Sequence, residues 1–131
     1  MLLNKSVNIR KLGNSLKKEF PSILFAFLYG STAQNGCLKN ASDIDVAVYL
    51  NKTLDIDLYA RISEVVAKGI GNILEPDIGI LNNADPIYRF EVLKGQLLFS
   101  RDMEFYYSFF SLTCREYESQ MIDYEIQKNI A

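Results

Sequence analysis

Three short polar segments contain the residues of this sequence that could carry out chemistry. Gly30 and Ser31 follow directly after an apolar run, Asp43 and Asp45 open a second one, and Asp77 lies inside a third. Glycine permits close backbone approach to a ligand, and a serine hydroxyl together with the free N–H groups of a turn can hold phosphate oxygens. The segments therefore predict a phosphate-binding turn beside a group of carboxylates.

The three aspartates predict a site for divalent cations. Asp43 and Asp45 are two residues apart in a predicted strand, so both side chains point to the same face. Two such carboxylates repel each other unless a cation lies between them, and Mg²⁺ prefers oxygen ligands. Asp77 interrupts an apolar run, where a buried charge without a purpose is costly. We expect all three to bind Mg²⁺, with Asp77 on the nucleophile's side or accepting its proton.

A phosphate-binding turn that faces three carboxylates is suited to metal-dependent transfer of a nucleotidyl or phosphoryl group. Two metal ions neutralise the triphosphate, align the nucleophile and stabilise the leaving pyrophosphate. The sequence contains no histidine, which excludes Ser-His triads, His-ligated zinc and histidine acid–base catalysis. Carboxylates must therefore carry any catalysis.

Other polar residues have simpler interpretations. Glu75 shares a strand face with Asp77 and is either its competitor as the third carboxylate or a surface residue. Asp55 and Asp57 repeat the Asp-x-Asp motif, but they lie at a predicted helix start, where acidic side chains interact favourably with the helix dipole. Lys39 could reach a triphosphate, although a solvated loop lysine is the simpler interpretation. We also expect structural roles for the basic residues Arg89 and Lys94.

Hydrophobic patterning predicts the elements that position these residues. Helical spacing or a helix-start signal marks four segments, 7–20, 58–70, 86–93 and 102–129. Apolar runs of strand length cover 22–29, 44–50, 73–81 and 96–100. Thr53 is the expected N-cap of the second helix, and Pro76 suggests that pairing on one side of the third strand is absent or begins late. The order predicts an α/β fold, a small, mixed and mostly antiparallel sheet with helices packed on it.

The final helix, 102–129, carries more apolar surface than its packing requires. One stripe comprises Tyr106, Phe110, Cys114, Tyr117, Met121 and Tyr124. A second stripe, about a third of a turn away, comprises Phe105, Phe109 and Leu112. Since one stripe suffices to pack a helix on its sheet, the excess predicts a protein interface, where aromatic residues concentrate. A wide core-facing stripe and a homodimer through this helix are the alternatives.

Length and composition indicate one globular domain over 1–131 that does not bind nucleic acid strongly. The chain has 14 Lys and Arg against 16 Asp and Glu, without the basic excess that phosphate backbones require. Cys37 and Cys114 lack metal-binding spacing. The longest apolar run, seven residues long, is far short of the roughly 20 residues of a membrane span. With no signal-peptide pattern at the start, we expect a soluble, cytoplasmic protein.

In combination, these segments resemble the minimal nucleotidyltransferases of the DNA polymerase β superfamily. The superfamily signature is Gly-Ser, a spacer, Asp-x-Asp, and a third Asp on a later strand. Here the corresponding pieces are Gly30-Ser31, 42–48 and 77–80. The resemblance covers nearly the whole chain, including the segment LKGQLLFSRD and the final helix. Within the superfamily the chain is most similar to the MntA antitoxins, which are encoded beside HEPN-domain toxins (HepT).

The resemblance implies a polymerase β-like fold and transfer of AMP from ATP to a tyrosine of a HEPN toxin, which silences the toxin. It further implies that Asp43 and Asp45 bind both Mg²⁺ ions, that Asp77 binds one, and that Gly30-Ser31 holds the β and γ phosphates. ATP and the toxin are then the partners of the protein.

Two features depart from the family pattern, and both concern the phosphate contacts. The spacer, 32–42, has eleven residues and is longer than usual. Thr32, Gln34 and Asn35 stand where basic residues are common. One alternative is therefore an antitoxin with a weak site that neutralises its partner by covering it. Another is transfer to a small molecule, although 131 residues leave no room for a second substrate domain.

Overall fold

The computed structural model describes residues 8–30, 43–71 and 75–130, with Asp43 represented by its backbone. Within these ranges the elements are α1 (Ile9–Glu19), β1 (Ile23–Tyr29), β2 (Asp43–Leu50), α2 (Ile56–Gly69), β3 (Glu75–Ile80), α3 (Pro86–Leu93), β4 (Gln96–Ser100) and α4 (Met103–Ile130). Each expected element is found, with its ends within two residues of the prediction. Across the same ranges, no helix combines the length and apolarity needed to cross a bilayer.

The four described strands form one sheet in the order β3-β2-β1-β4. Strand β1 runs antiparallel to both β2 and β4, whereas β2 and β3 are parallel. The expected mixed, mostly antiparallel sheet is thereby confirmed. Strand β3 lies at an edge, which explains how it accommodates Pro76, because a proline has no N–H to donate to a further strand.

Helices cover both faces of the sheet. On the first face, α1 and α2 pack against alternate residues of the central strands, and this layer is almost wholly apolar. Its fully buried members are Leu16, Ile23, Ala26, Leu28, Ile44, Val46, Val48, Ile62 and Val66. Because alternate strand residues point to opposite faces, the remaining positions of β1 and β2 face α3 and α4.

The second face of the sheet is rich in aromatic residues. The Phe25 ring lies 5.0 Å from that of Phe109 and 5.5 Å from that of Tyr106, both with edge-on geometry. Arg89 is buried beside them; its Nε donates to the Leu81 carbonyl at 2.9 Å, and its guanidinium lies 4.9 Å from the Phe109 ring centre. Both contacts are made inside the packed core of this face, which agrees with the structural role expected for Arg89.

The start of α2 differs from the prediction by two residues. Asp55, not Thr53, is the N-cap, and its Oδ1 accepts a hydrogen bond from the Leu58 N–H at 2.7 Å. Asp57 lies in the first turn, where its charge suits the helix dipole. The capping position therefore belongs to Asp55 and not to Thr53. The expectation for Thr53 is thus wrong, while the structural interpretation of Asp55 and Asp57 is confirmed.

Helix α4 contacts the domain along its first half. Tyr106, Phe109 and Thr113 are buried, and the Tyr117 ring stacks on that of Phe90 at 3.9 Å. The core-facing line therefore takes residues from both predicted stripes. From 122 to 130 every residue is exposed, including the large apolar side chains of Ile122, Tyr124, Ile126 and Ile130.

Candidate active site

Strand register brings together residues that are far apart in the sequence. Tyr29 of β1 pairs with Asp45 of β2, and Asp45 pairs in turn with Asp77 of β3. Neighbouring strands lie about 4.8 Å apart, and side chains at paired positions share a face. Tyr29, Asp45 and Asp77 therefore form one cross-strand row on the face that carries α3 and α4.

The two other acidic positions lie one step along the same strands. Asp43 of β2 is in register with Glu75 of β3, so the backbone puts it on the face of Asp45. The Asp43 side chain lies outside the described residues. Glu75 is exposed and shares the face of Asp77, but the residue paired with Asp45 is Asp77. Register thus favours Asp77 over Glu75 as the partner of Asp45.

Asp77 is exposed, although the sequence suggested a buried charge. One reason is that β3 is an edge strand of the described sheet, so Asp77 has a neighbouring strand on one side only. Asp45, on the adjacent inner strand, is half-buried. The argument for Asp77 from the cost of burial is therefore wrong, and its pairing with Asp45 takes the place of that argument.

Gly30 ends β1 beside the cross-strand row and could not be replaced without strain. Its φ is +81°, and a Cβ at this position would lie 2.5 Å from the Asp45 Oδ2. The backbone turn after β1 is thus held against the Asp45 carboxylate, and only a residue without a Cβ allows this approach. Ser31 and the spacer 32–42, including Cys37 and Lys39, lie outside the described residues, so the phosphate-binding role of this turn stays a prediction.

A second tyrosine, which the sequence did not single out, reaches the same site. Tyr88 of α3 has its hydroxyl oxygen 2.9 Å from that of Tyr29, and the two rings meet edge-on with centres 5.9 Å apart. The Tyr88 hydroxyl lies over Gly79, where a Cβ would overlap it. A glycine inside a strand often marks such a close approach, but nothing in the local pattern identifies Tyr88 as the side chain that makes it.

Both hydroxyls keep their protons at neutral pH. Burial raises the pKa of Tyr29 well above its usual value, and the hydrogen bond with Tyr88 and the carboxylates of Asp45 and Asp77 act in the same direction. Burial also raises the pKa of Tyr88, with Asp77 and Asp45 adding to it, although the hydrogen bond with Tyr29 opposes this shift. The pair can therefore donate hydrogen bonds but does not act as a base.

The donors in this row fit an oxygen-liganded divalent cation. Asp45 and Asp77 supply carboxylates from adjacent strands, and Gly30 approaches the Asp45 carboxylate without a side chain of its own. Hard carboxylate ligands are those that Mg²⁺ selects. The described side chains include no cluster of three or more potential ligands; the third expected ligand, Asp43, is not among them. The Mg²⁺ site therefore stays a prediction.

A mixed sheet that presents paired aspartates beside a glycine turn is the architecture of a nucleotidyltransferase domain. Residues 10–104 match the profile of the family described as polymerase beta, nucleotidyltransferase, and the chain belongs to that family. The matched segment includes the four described strands and ends at the start of α4. A search of curated proteins returned no match.

Solved structures with the same fold come from toxin–antitoxin complexes. A chain of a double Asp-to-Glu mutant of MntA-HpeT matches with a TM-score of 0.74 and 22% identity, over 95% of this chain and 99% of that one. A chain of a toxin–antitoxin structure with AMP-PNP matches with a TM-score of 0.72 and 23% identity, over 95% of this chain and 99% of that one. A chain from the complex of tri-AMPylated Shewanella oneidensis HEPN toxin with MNT antitoxin matches with a TM-score of 0.68 and 21% identity, over 95% of this chain and 97% of that one. At these identities the likeness establishes the fold.

Proposed function

We propose that this protein transfers AMP from ATP to a tyrosine hydroxyl of a HEPN-type toxin and thereby acts as its antitoxin. The observation that carries the proposal is the pairing of Asp45 with Asp77 across parallel strands, directly beside the positive-φ turn at Gly30. Membership of the nucleotidyltransferase family supports the reaction class. The similar chains come from a complex that contains an AMPylated HEPN toxin and from a toxin–antitoxin structure with an ATP analogue, which supports a HEPN toxin as the acceptor and ATP as the nucleotide.

In this reaction the acceptor oxygen forms a bond to the α-phosphorus, the bond to the β-phosphate oxygen breaks, and pyrophosphate leaves. Asp43, Asp45 and Asp77 would hold Mg²⁺, which when bound neutralises the triphosphate. Asp77 would also accept the acceptor's proton. The exposure of Asp77 suits an acceptor that belongs to another protein, because a protein-borne tyrosine can reach only an open site. Gly30 and Ser31 would hold the β and γ phosphates.

The exposed end of α4 supports a protein partner. Ile122 and Ile126 are each 52% exposed and Ile130 is 79% exposed, and an apolar surface of this kind is typical of an interaction site. We propose that the toxin binds here. The same surface favours a second candidate function, in which the chain neutralises its partner by covering it without any transfer.

The experiment uses ATP labelled at the α-phosphate, Mg²⁺, and a purified HEPN-type toxin as the candidate acceptor. The Asp43→Asn/Asp45→Asn variant removes two proposed metal ligands. Asp55→Asn/Asp57→Asn is the matched control. It makes the same substitutions in a second Asp-x-Asp motif, which lies at a helix start, where asparagine also caps well. We expect α-labelled but not γ-labelled ATP to label the toxin, with label lost to background in the first variant and retained in the control.

Neutralisation is scored in parallel by toxin activity and by co-purification of the two proteins. A stable complex that never carries label would contradict AMP transfer to this partner. If Asp43→Asn/Asp45→Asn still protects the cell, the covering function is correct instead. Label on a small molecule but not on the toxin would reassign the acceptor.

A further inference from the structure

The aromatic face of the sheet meets the acidic row at a hollow made by two small residues. Ala47 and Gly79 are paired in register on β2 and β3, one step inward from Asp45 and Asp77 on the same face. The hydroxyls of Tyr29 and Tyr88 fill this hollow, since a Cβ on Gly79 would overlap the Tyr88 hydroxyl and lie 3.4 Å from that of Tyr29. The hydroxyl pair therefore borders the carboxylates on their core side.

A count of hydrogens shows what this pair can still donate. Two phenolic hydroxyls carry two hydrogens, and the 2.9 Å contact between the oxygens uses one of them. Within the described part of the chain, neither hydroxyl has a second hydrogen-bonding partner. One phenolic hydrogen is therefore available beside the row, where the carboxylates of Asp45 and Asp77 act electrostatically on both hydroxyls.

We propose that Tyr88 is a positioning residue for the carboxylates of Asp45 and Asp77, an inference that rests on their proposed function as metal ligands. The hydroxyl pair donates its free hydrogen to a carboxylate oxygen, directly or through a water molecule, and holds the ligand set in one orientation. Hydrogen bonds to charged acceptors are the strong ones, and partners behind metal ligands orient them. Because Tyr88 comes from α3, this helix becomes part of the support of the site.

The test compares four forms of the protein by calorimetric titration with Mn²⁺, a substitute for Mg²⁺, and by steady-state AMP transfer. They are the wild type, Tyr88→Phe, Tyr29→Phe/Tyr88→Phe, and the control Tyr106→Phe. We expect Mn²⁺ to bind about 10-fold more weakly in both Tyr88 variants, because Tyr88→Phe leaves the Tyr29 hydroxyl without the contact that orients it. Transfer should lose kcat with little change in the KM for ATP. The control removes another buried hydroxyl on the same face and should leave both quantities unchanged.

The double variant separates positioning from packing. Removing both members of a hydrogen-bonded pair can be nearly neutral for stability, so a purely structural pair predicts that Tyr29→Phe/Tyr88→Phe restores what Tyr88→Phe alone loses. Such a restoration would overturn the inference, as would wild-type Mn²⁺ affinity in both variants. Gly79→Ala, whose Cβ would displace the Tyr88 hydroxyl, should reproduce the defect of Tyr88→Phe.

Failure of the proposed function has a different signature. If the wild type binds Mn²⁺ but transfers no AMP, the proposed reaction is wrong, while the Mn²⁺ affinities still decide whether Tyr88 positions the carboxylates. If the wild type binds no Mn²⁺, the shared premise of a metal site is wrong and both proposals fall.

Discussion

At the scale of single residues, Gly30 is subject to two independent constraints. Its backbone has a φ of +81°, a conformation that residues with a side chain rarely adopt, and its α-carbon lies against the Asp45 carboxylate. Either constraint alone would select glycine, and together they couple the turn after β1 to a proposed metal ligand. A change at Gly30 should therefore affect chemistry as well as stability.

We predict that Gly30→Ala lowers AMP transfer by roughly 100-fold, the scale expected from displacing a reacting group by about 1 Å. It should also cost about 1–2 kcal/mol in the free energy of unfolding, because of the positive φ. Gly71→Ala is the matched control, since Gly71 has a similar φ of 71° at the end of α2. Transfer assays and urea unfolding on both variants test this. Equal loss of transfer in the two would show that backbone strain, not the Asp45 contact, is responsible.

At the scale of elements, the same Asp-x-Asp motif occurs twice and has a different structural role in each place. In β2 the two-residue period of a strand puts Asp43 and Asp45 on one face of the sheet. Before and within α2, Asp55 accepts a hydrogen bond from a backbone N–H and Asp57 occupies the first turn. Whether an Asp-x-Asp motif forms a candidate ligand pair or a helix cap therefore depends on the element that contains it, not on the motif alone.

We predict that Asp55→Ala destabilises the fold by about 1 kcal/mol, the usual cost of losing an N-cap. Thr53→Ala should change the free energy of unfolding by less than about 0.5 kcal/mol, since it removes no cap. Neither substitution should alter AMP transfer or Mn²⁺ binding. Urea unfolding followed by circular dichroism measures the difference. A larger effect at Thr53 than at Asp55 would contradict the observed cap.

At the scale of the whole molecule, α4 has two parts with different surroundings. Its first half packs against the aromatic face through Tyr106 and Phe109, and Tyr117 stacks on Phe90 of α3. Its last nine residues, 122–130, are all exposed and add apolar surface that the domain core does not use. Stability therefore depends on the first half, and the proposed partner binding depends on the second.

We predict that Ile126→Glu weakens binding to the toxin by at least about 10-fold, the scale for a contributing interface residue. The melting temperature of the free protein should not change, because Ile126 is 52% exposed. Gln127→Glu adds the same charge at the neighbouring exposed position and should bind more tightly than Ile126→Glu. Calorimetry with the purified toxin measures both. Unchanged binding in Ile126→Glu would place the interface elsewhere.

Local patterning was sufficient for most of the fold. Each described helix and strand was predictable because helical spacing, apolar runs and helix-start signals are all properties of consecutive residues. The edge position of β3 was also predictable from Pro76, because the missing N–H is a local chemical fact. The N-cap was less predictable, since Thr53 and Asp55 are both good capping residues and only the backbone path selects between them.

For the candidate site, the sequence by itself determined the residue types: a glycine turn, two aspartates with the period of a strand, and a third aspartate on a later strand. The tertiary structure decided which of them are neighbours. It paired Asp45 with Asp77, left Asp77 exposed, and brought Tyr88 of α3 to Tyr29 over Gly79. Periodicity specifies the face of one element, whereas strand register and helix docking depend on packing between distant segments, which no local pattern records.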